Sequence, residues 1–421
     1  EGTSGWVANV TSEQLLSLPR MSNSIPEKDS LFYLPFESKH RGHLFACGVE
    51  HVFERHIADE SSWDALHDFR VQHSEWMFGW ISYDAKSSIE QVNRHANQDQ
   101  APPEILWVVP KHVMEIRGGQ ILVHKGNPEM YWTAWMSEQS KPWQPVECHA
   151  DISAEDYLQD VQSLRHHIQR GDIYEVNYCM RFSAKARNIP PPALFKRLSQ
   201  LVNAPMMGYA SWRGTHLICG SPERFLTKQG GVVSAHPIKG TARRSSNPEM
   251  DQQIANELRE SKKERAENTM IVDLMRNDLS RFAVRGSVRV PEWCAVHTFP
   301  TVHHLISTIT CEVDESTSWV DMMRCTFPMG SMTGAPKVSA MQIIQRYERQ
   351  PRSLYSGTLG YLTPSGDFDL NVIIRSIVYQ EHDGQLTIGV GGAITDLSDP
   401  ESEYQECQLK VAAIRRALEQ H

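Results

Sequence analysis

The stretch that best defines the fold is residues 153–182, SAEDYLQDVQSLRHHIQRGDIYEVNYCMRF. Its Ser-x-x-Asp start, at Ser153, is typical of a helix N-cap. Apolar residues then recur at helical spacing to about Arg170, and Gly171 ends the helix. Residues 173–182 follow as an apolar β-strand. A capped helix that leads directly into a strand indicates that this chain mixes both kinds of structure.

The same mixture extends on both sides of this stretch. Short apolar segments predict strands at residues 31–36, 43–49, 76–83, 105–109, 217–219, 232–235, near 288, 302–309, 357–362, 372–378 and 386–390. Helical spacing predicts helices at 191–202, about 247–278 and 400–418. Strands interrupted by helices, without a regular strand–helix–strand repeat, favour an α+β fold with mainly antiparallel sheets. A polar stretch at 137–150 is a candidate linker, so we divide the chain into regions 1–150 and 151–421.

Composition and charge exclude several classes of function. The 421 residues carry a net charge of −9, with an isoelectric point near 6.1, which argues against nucleic acid and anionic membranes as partners. No apolar run reaches the roughly 18 residues of a membrane helix, and the first residues do not resemble a signal peptide. The eight cysteines are scattered without the spacing of a zinc site. We therefore expect a reduced, cytoplasmic globular protein.

One lysine is a candidate functional residue because of its neighbours. Lys239 lies in Pro-Ile-Lys-Gly-Thr, residues 237–241, between a rigid proline and a Gly-Thr pair. A lysine in a tight turn is either a solvated charge or a nucleophile. A nucleophilic amine must be uncharged, and burial or a nearby cation brings this about. The pentapeptide alone does not decide between the two.

Two predicted helices carry paired glutamates. Glu264 and Glu267, three residues apart, share one face of the long helix. Glu403 and Glu406 repeat this spacing in the last helix, where Lys410 follows one turn later. If the two pairs converge, their carboxylate oxygens suit Mg²⁺. On spacing alone, solvated helix faces are the more common explanation.

Other polar residues follow predicted strands or lie in loops. Glu223, in Ser-Pro-Glu-Arg directly after a strand, is a general acid if burial keeps its proton on, and otherwise part of a surface turn. Residues 330–337, GSMTGAPK, lack the ending of a phosphate loop and instead lead into a helix that begins at Pro336. Thr333 in this loop offers a hydroxyl to a ligand or serves as an ordinary N-cap.

Two further side chains lie in apolar strands. His303 and His304 are neighbours, so only one of them can point to a given side of the strand. Each is either a structural histidine or a site residue. Arg375, in the apolar segment NVIIRS, needs an anionic partner, which is a substrate carboxylate or a structural acid.

Together these segments resemble the chorismate-utilising enzymes, a family that includes anthranilate, isochorismate and salicylate synthases. The similar segments, in the family's order, are SPERFL (221–226), PIKGT (237–241), SKKERAENTMIVDLMRNDLS (261–280), VHHLIS (302–307), GSMTGAPK (330–337), YSGTLGY (355–361), NVIIRS (371–376) and SDPESEYQECQLK (398–410). They span roughly residues 153–414, and region 1–150 is similar to the family's more variable N-terminal half. The resemblance implies two packed, mainly antiparallel sheets with helices on the outside and the site between the sheets.

The lysine within PIKGT separates two branches of this family. Members that aminate chorismate at C2 carry alanine there, whereas Lys239 is similar to the members that aminate C4, on the route to 4-aminobenzoate and folate. The resemblance implies that Lys239 attacks C2 as the 4-hydroxyl leaves, and that ammonia then attacks C4 and expels the lysine. A covalent lysine achieves net substitution at C4 in two displacements.

The resemblance also implies a Mg²⁺ site and a substrate site. The metal would hold the ring carboxylate of chorismate, and its ligands, direct or through water, would be Glu264, Glu267, Glu403 and Glu406. Arg375 and Tyr355 would bind the enolpyruvyl carboxylate. Lys410 and the backbone around Gly391 would assist at the metal and the ring carboxylate.

The ring pocket is the third part of the implied site. Gly240 and Thr241 would line it, and Glu223 would protonate the departing 4-hydroxyl because hydroxide is a poor leaving group. His304 and Thr333 would be further pocket residues.

The residue at position 175 and the length of the chain limit which reaction of the family is expected. Position 175 is Glu, where many relatives have Gln and the water-adding members have Lys, so isochorismate and salicylate formation are disfavoured. The chain offers no room for a glutaminase domain, so ammonia would come from a separate glutaminase subunit. Two alternatives remain: a C2-aminating member, anthranilate synthase component I, and a homologue that binds chorismate without activity.

Overall fold

Two antiparallel β-sheets carry most of the chain in the computed structural model, which describes residues 30–38, 40–95, 101–299 and 302–419. The first sheet contains β1 (Ser30–Leu34), β2 (His43–Cys47), β6 (His112–Arg117), β7 (Gln120–Lys125), β8 (His149–Ala150), β9 (Glu175–Lys185), β10 (Met206–Trp212), β11 (Thr215–Ser221), β17 (Gly334–Ala335), β20 (Ser376–Gln380) and β21 (Gln385–Ile394). Its order is β17-β9-β21-β20-β11-β10-β1-β2-β6-β7, and β8 pairs with β9. The segment that was compared with signal peptides lies outside the described residues.

The second sheet is built from the remaining strands of the described chain. They are β3 (His51–Arg55), β4 (Met77–Ile81), β5 (Ile105–Val109), β12 (Arg224–Gln229), β13 (Val232–Ala235), β14 (Ile238–Arg243), β15 (Arg289–Thr298), β16 (Val302–Glu312), β18 (Thr358–Leu362) and β19 (Phe368–Asn371). The order is β14-β16-β13-β12-β19-β18-β4-β5-β3, and β15 pairs with β16. Strands from the N-terminal region therefore form one end of both sheets.

Helices occupy the outer faces of these sheets. They are α1 (Glu60–Gln72), α2 (Glu129–Glu138), α3 (Ala154–Gln169), α4 (Pro191–Val202), α5 (Pro248–Glu260), α6 (Lys262–Ser280), α7 (Trp319–Thr326), α8 (Lys337–Tyr347) and α9 (Pro400–Leu418), with short 3₁₀-helices at Tyr83–Ser88 and Gly330–Met332. None of the helices in the described ranges is long and apolar enough to cross a membrane.

A layer of apolar side chains joins the two sheets face to face. Leu217 and Cys219 of β11 belong to this layer, together with Trp80 of β4 and Leu359 of β18 from the other sheet. Ile218, between them in sequence, packs on the opposite face, under the helices. Helices α2, α3, α4, α8 and α9 cover the first sheet, and α1, α6 and α7 cover the second. The predicted pair of antiparallel sheets with outer helices is confirmed.

Several predicted elements match the structure and others are wrong. Helix α4 and strands β5 and β13 have the predicted bounds. The long helix at 247–278 is in fact two helices, because Ser261 ends α5 and caps α6, with its hydroxyl oxygen accepting a hydrogen bond from the Glu264 N–H at 3.3 Å. Helices α1, α2 and α7 were not predicted. Strand β20 begins only at Ser376, since Arg375 has a left-handed backbone, φ 50°, which breaks the predicted strand.

The layer between the sheets should dominate stability. We expect Leu217→Ala to lower the free energy of unfolding by about 2–5 kcal/mol, because it leaves a cavity at a fully buried position. Leu409→Ala is the matched control: its side chain is 76% exposed, and its effect should stay within about 0.5 kcal/mol. Urea unfolding followed by circular dichroism measures both. Equal stability of the two variants would contradict the assignment of this layer as the core.

Candidate active site

A bulge in β14 positions the candidate lysine. The pairing of β14 with β16 shifts register between Ile238 and Thr241, and Gly240 in this bulge has φ +86°. A bulge redirects side chains that a regular strand would place on alternate faces. A Cβ at Gly240 would lie 3.0 Å from a carboxylate oxygen of Glu264, so glycine lets helix α6 approach this strand closely.

Lys239 forms a buried ion pair with a residue of the other sheet. Its Nζ lies 2.8 Å from Oε1 of Glu175, the first residue of β9. The Lys239 side chain is 11% exposed and that of Glu175 is 1% exposed. Glu175 is held in place because it pairs with Ala335 of β17 at the edge of the first sheet. The lysine therefore faces the interior of the molecule and not bulk solvent.

The charge of Lys239 is determined by its acidic neighbours. Burial acts to lower its pKa, but the carboxylates of Glu175, Glu267 and Glu223 outweigh burial, so the pKa is raised. The raised pKa keeps this amine protonated at neutral pH, so a proton must leave Lys239 before the amine can act as a nucleophile. Of these three acidic side chains, Glu175 is the one that the sequence analysis did not assign to the site.

Glu223 has the properties expected of a proton donor. It follows β11, is 7% exposed, and its backbone N–H donates to Ser221 Oγ at 3.1 Å. Burial raises its pKa to about 7, although a hydrogen bond with Ser331 and the charge of Lys239 work in the opposite direction. A carboxyl group that is still partly protonated near neutral pH can act as a general acid.

The acidic pair on α6 faces the same region. Burial raises the pKa of Glu267 to about 7, and the charge of Lys239 partly offsets this while those of Glu175 and Glu264 add to it. Glu267 is therefore close enough to Lys239 for the two charges to interact. The region therefore holds more negative than positive charge.

The acidic pair on α9 lies over the glycines of β21. Lys410 Nζ lies 2.6 Å from the Gly391 carbonyl oxygen and 2.6 Å from Oε1 of Glu406. Burial raises the pKa of Glu403; burial also acts to raise that of Glu406, but Lys410 outweighs it and the pKa falls. A Cβ at Gly392 would lie 3.3 Å from a Glu403 carboxylate oxygen. Lys410 and Gly391 are thus in contact.

The two acidic pairs fit a magnesium ion in donor chemistry, though not as a preassembled site. Carboxylate oxygens are the ligands that Mg²⁺ prefers. Burial raises the pKa of Glu267 and Glu403, so a cation beside them would favour their ionised forms. Within the described ranges, however, no three ligand side chains form a compact metal-binding group. Lys410 also forms an ion pair with Glu406, one of the candidate ligands. Metal binding would require the carboxylates to draw together.

One of the two neighbouring histidines belongs to this region. His304 is cross-strand from Thr241, and its Nδ1 lies 2.8 Å from Thr241 Oγ1. Burial lowers the pKa of His304 to about 4, and the charge of Arg375 contributes, so the ring is neutral at pH 7. His303 points away and contacts Asp251 and Thr298.

Arg375 has no acidic partner in the described part of the chain, and burial lowers its pKa. Neither a hydrogen bond nor an ion pair of its guanidinium is found there. Of the two expected kinds of partner, a structural acid is therefore not present among these residues.

Tyr355 is 6% exposed, and its ring lies against Gly389, where an added Cβ would overlap it. Burial raises the pKa of Tyr355 well above its usual value.

Thr333 has a mainly structural environment. Its hydroxyl is buried and donates within 3.3 Å of the carbonyl oxygens of Met329 and Gly330. Its own carbonyl accepts the Asn177 N–H of β9 at 2.8 Å. The helix predicted to begin at Pro336 does so, with Pro336 as the N-cap of α8. The loop thus fixes the start of β9, and with it Glu175.

Sequence reasoning missed two residues of this site. In the sequence, Glu175 was considered only because water-adding relatives have lysine at this position. A carboxylate within an apolar strand needs a cation as its partner, and this was the signal for the contact with Lys239. Gly389 was not singled out, and its need to admit the Tyr355 ring has no signal in the local sequence.

Comparison with known proteins identifies relatives over most of the chain. The profile of a family described as "chorismate binding enzyme" matches residues 35–416. Aminodeoxychorismate synthase component 1 of Escherichia coli is 35% identical over 368 residues, which cover 84% of this chain and 80% of that protein. The protein of the same name from Salmonella typhimurium is 40% identical over 68% of this chain, but the match spans only 63% of its length.

Solved structures with the same fold are more distant in sequence. Anthranilate synthase component I from Streptococcus pneumoniae aligns with a TM-score of 0.77 at 22% identity, over 98% of this chain and all of that one. A putative isochorismate synthase from Bacillus anthracis aligns with a TM-score of 0.72 at 21% identity, over 97% and 99% of the two chains. These similarities establish the fold alone.

The raised pKa of Glu223 predicts a specific pH dependence of stability. Between pH 4.5 and 7 the unfolded carboxyl loses its proton and the folded one keeps it, so stability falls as pH rises through this window, by about 3 kcal/mol. Glu223→Gln should remove this loss, whereas the exposed control Glu315→Gln should follow the wild type. Urea unfolding at pH 5 and about pH 8 measures it. Parallel behaviour of Glu223→Gln and wild type would show that the carboxyl titrates normally.

Proposed function

Because this chain belongs to the chorismate binding enzymes, we propose that it acts as an aminodeoxychorismate synthase component I, which aminates chorismate at C4. The observation that carries the proposal is Lys239, buried 2.8 Å from Glu175 and within the fields of Glu223 and Glu267. The relatives that bear this name support it. The catalytic residues would lie in region 151–421, with region 1–150 completing the two sheets, in a cytoplasmic protein.

The first displacement would use the lysine as the nucleophile. After Lys239 transfers a proton to Glu175, its free amine attacks C2 of the ring, both ring double bonds shift, and the C4–O bond breaks. Glu223 supplies the proton with which the 4-hydroxyl leaves as water, a role that its raised pKa suits. Gly240, Thr241 and His304 would surround the ring.

The second displacement would release the product. Ammonia attacks C4, both ring double bonds shift back, and the C2–N bond to Lys239 breaks, which gives 4-amino-4-deoxychorismate for 4-aminobenzoate and folate synthesis. The ammonia would come from a separate glutaminase subunit. Thr333 would hold the loop beside the site through its backbone contacts.

Charge complementarity supports chorismate, a dianion, as the substrate. Arg375, which has no acidic partner among the described residues, and the hydroxyl of Tyr355 would bind the enolpyruvyl carboxylate. Lys410 with the backbone of Gly391 would assist at the ring carboxylate. Mg²⁺ would be held by Glu264, Glu267, Glu403 and Glu406 and, when bound, would supply positive charge for the ring carboxylate. Without these cations the net charge of −9 would repel the substrate.

Anthranilate synthase component I is the nearest alternative, and its fold is that of the Streptococcus pneumoniae structure. A lysine at position 239 distinguishes the two, because direct attack of ammonia at C2 needs no nucleophile there. A homologue that binds chorismate without turnover is the second alternative. It is disfavoured because a base, an acid and an amine all lie within one buried region.

Replacement of the lysine tests the reaction. We expect Lys239→Ala to reduce formation of the 4-amino product from chorismate and ammonium by more than about 1,000-fold, since the covalent route is lost. The control Lys185→Ala, at the exposed far end of β9, should match the wild type. Chromatography of the products separates 4-amino-4-deoxychorismate from anthranilate. Undiminished C4 amination by Lys239→Ala would refute the covalent route, and anthranilate from the wild type would favour the alternative.

Magnesium binding is tested through an acidic side chain of α6. Magnesium that binds only the folded state raises its stability, by about 2.7 kcal/mol at a 100-fold excess over the dissociation constant. We expect Glu267→Gln to lose this gain together with activity, and the control Glu260→Gln, exposed at the end of α5, to keep both. Thermal unfolding with and without MgCl₂ measures the effect. A normal magnesium response and normal kinetics in Glu267→Gln would exclude Glu267 as a ligand.

A further inference from the structure

One oxygen of the buried Glu175 carboxylate has no partner. Oε1 accepts from Lys239, whereas Oε2 is buried and forms no hydrogen bond to any described residue. Unsatisfied buried acceptors are rare in proteins and call for a specific explanation. The cost of such a group is higher for a carboxylate than for a neutral acceptor, because its charge has also lost its water. This oxygen is therefore suited to a ligand that donates hydrogen.

The reactants of the proposed reaction offer few such donors. The two carboxylates and the enol ether of chorismate only accept hydrogen bonds, so none of them can satisfy Oε2. The 4-hydroxyl can donate, but in the proposed reaction it is paired with Glu223. Ammonia is the remaining donor, and it must arrive in the same pocket as the lysine nitrogen that it replaces.

We propose that Glu175 binds the incoming ammonia through Oε2 and carries a proton from it to the departing Lys239 amine through Oε1. This inference rests on the function proposed above and adds a catalytic role for a residue that contacts a reacting nitrogen at 2.8 Å. A single carboxylate can serve both nitrogens because each has its own oxygen. Glutamine at this position could hold ammonia but could not carry a proton.

The second displacement balances with this transfer. After the first displacement the adduct nitrogen returns one proton to the Glu223 carboxylate, and Glu175 releases the proton that it took from Lys239 to solvent. The resulting neutral adduct has one hydrogen on the lysine nitrogen, and ammonia has three. The C4–N bond forms, the C2–N bond breaks and its electron pair returns to Lys239, while one proton passes from the incoming nitrogen to Glu175 and from Glu175 to the lysine. Both nitrogens end as primary amines. Glu175 is a carboxylate before and after the step, and the ion pair with Lys239 forms again once the lysine amine takes up one proton from solvent.

The two half-reactions can be followed separately by intact-protein mass spectrometry in MgCl₂. Chorismate without ammonia should load wild-type enzyme with the mass of chorismate less one water, and ammonium chloride should then discharge it. We expect Glu175→Gln to load at a rate within about threefold of wild type. The variant lacks the carboxylate that takes the lysine proton, but without that carboxylate the Lys239 amine is also no longer held in its protonated form. Discharge of the variant should be about 100-fold slower, the usual contribution of general acid–base catalysis.

A second variant guards against a merely structural effect. Glu175→Ala leaves space for a small carboxylate, so sodium formate should accelerate its discharge and leave that of the wild type unchanged. Discharge of Glu175→Gln at the wild-type rate would overturn the proton transfer and leave the C4 amination intact. Equal slowing of both half-reactions in both variants, without an effect of formate, would overturn it in favour of a structural role. A wild-type enzyme that never loads would instead overturn the covalent route itself.

Discussion

A buried ion pair between two sheets is the constraint on which the site depends. Lys239 of β14 and Glu175 of β9 are almost fully withdrawn from solvent, so each charge needs the other at 2.8 Å. Removal of one partner from such a pair leaves an uncompensated buried charge and typically costs several kcal/mol. The bulge at Gly240 and the pairing of Glu175 with β17 keep the two side chains in contact. The chemistry proposed for the lysine begins from this pair.

The region around the ion pair contains further buried carboxyl groups, which folding alone would not favour. Glu223 and Glu267 each have a pKa raised to about 7, so part of the protein's stability is given up at neutral pH to keep them there. Arg375 presents the opposite case, a cation without an acidic partner in the described chain. Acids with a raised pKa and a buried cation that lacks an acidic partner among the described residues are both typical of a functional site.

Local sequence patterns predicted much of the fold and the identity of most candidate residues, but not their contacts. Helix α4 was found because two prolines and an apolar face define it, whereas the division between α5 and α6 was missed because a single capping serine ends one helix and starts the next. The contact of Lys239 with Glu175 joins residues 64 positions apart. The periodicity of a sequence does not show which distant residues are in contact. The protonated state of Lys239 depends on its contact with Glu175. Its position within PIKGT indicated a role, and only the fold supplies the partners.

The central claim is that the Lys239 amine bonds to the ring of chorismate. The most direct measurement is peptide mapping by tandem mass spectrometry after wild-type protein is mixed with chorismate and MgCl₂ in the absence of ammonia and then digested. The account predicts that the added mass resides on Lys239 and on none of the other lysines. A modification placed elsewhere, or a digest in which the peptide with residue 239 stays unmodified while chorismate is consumed, would contradict it.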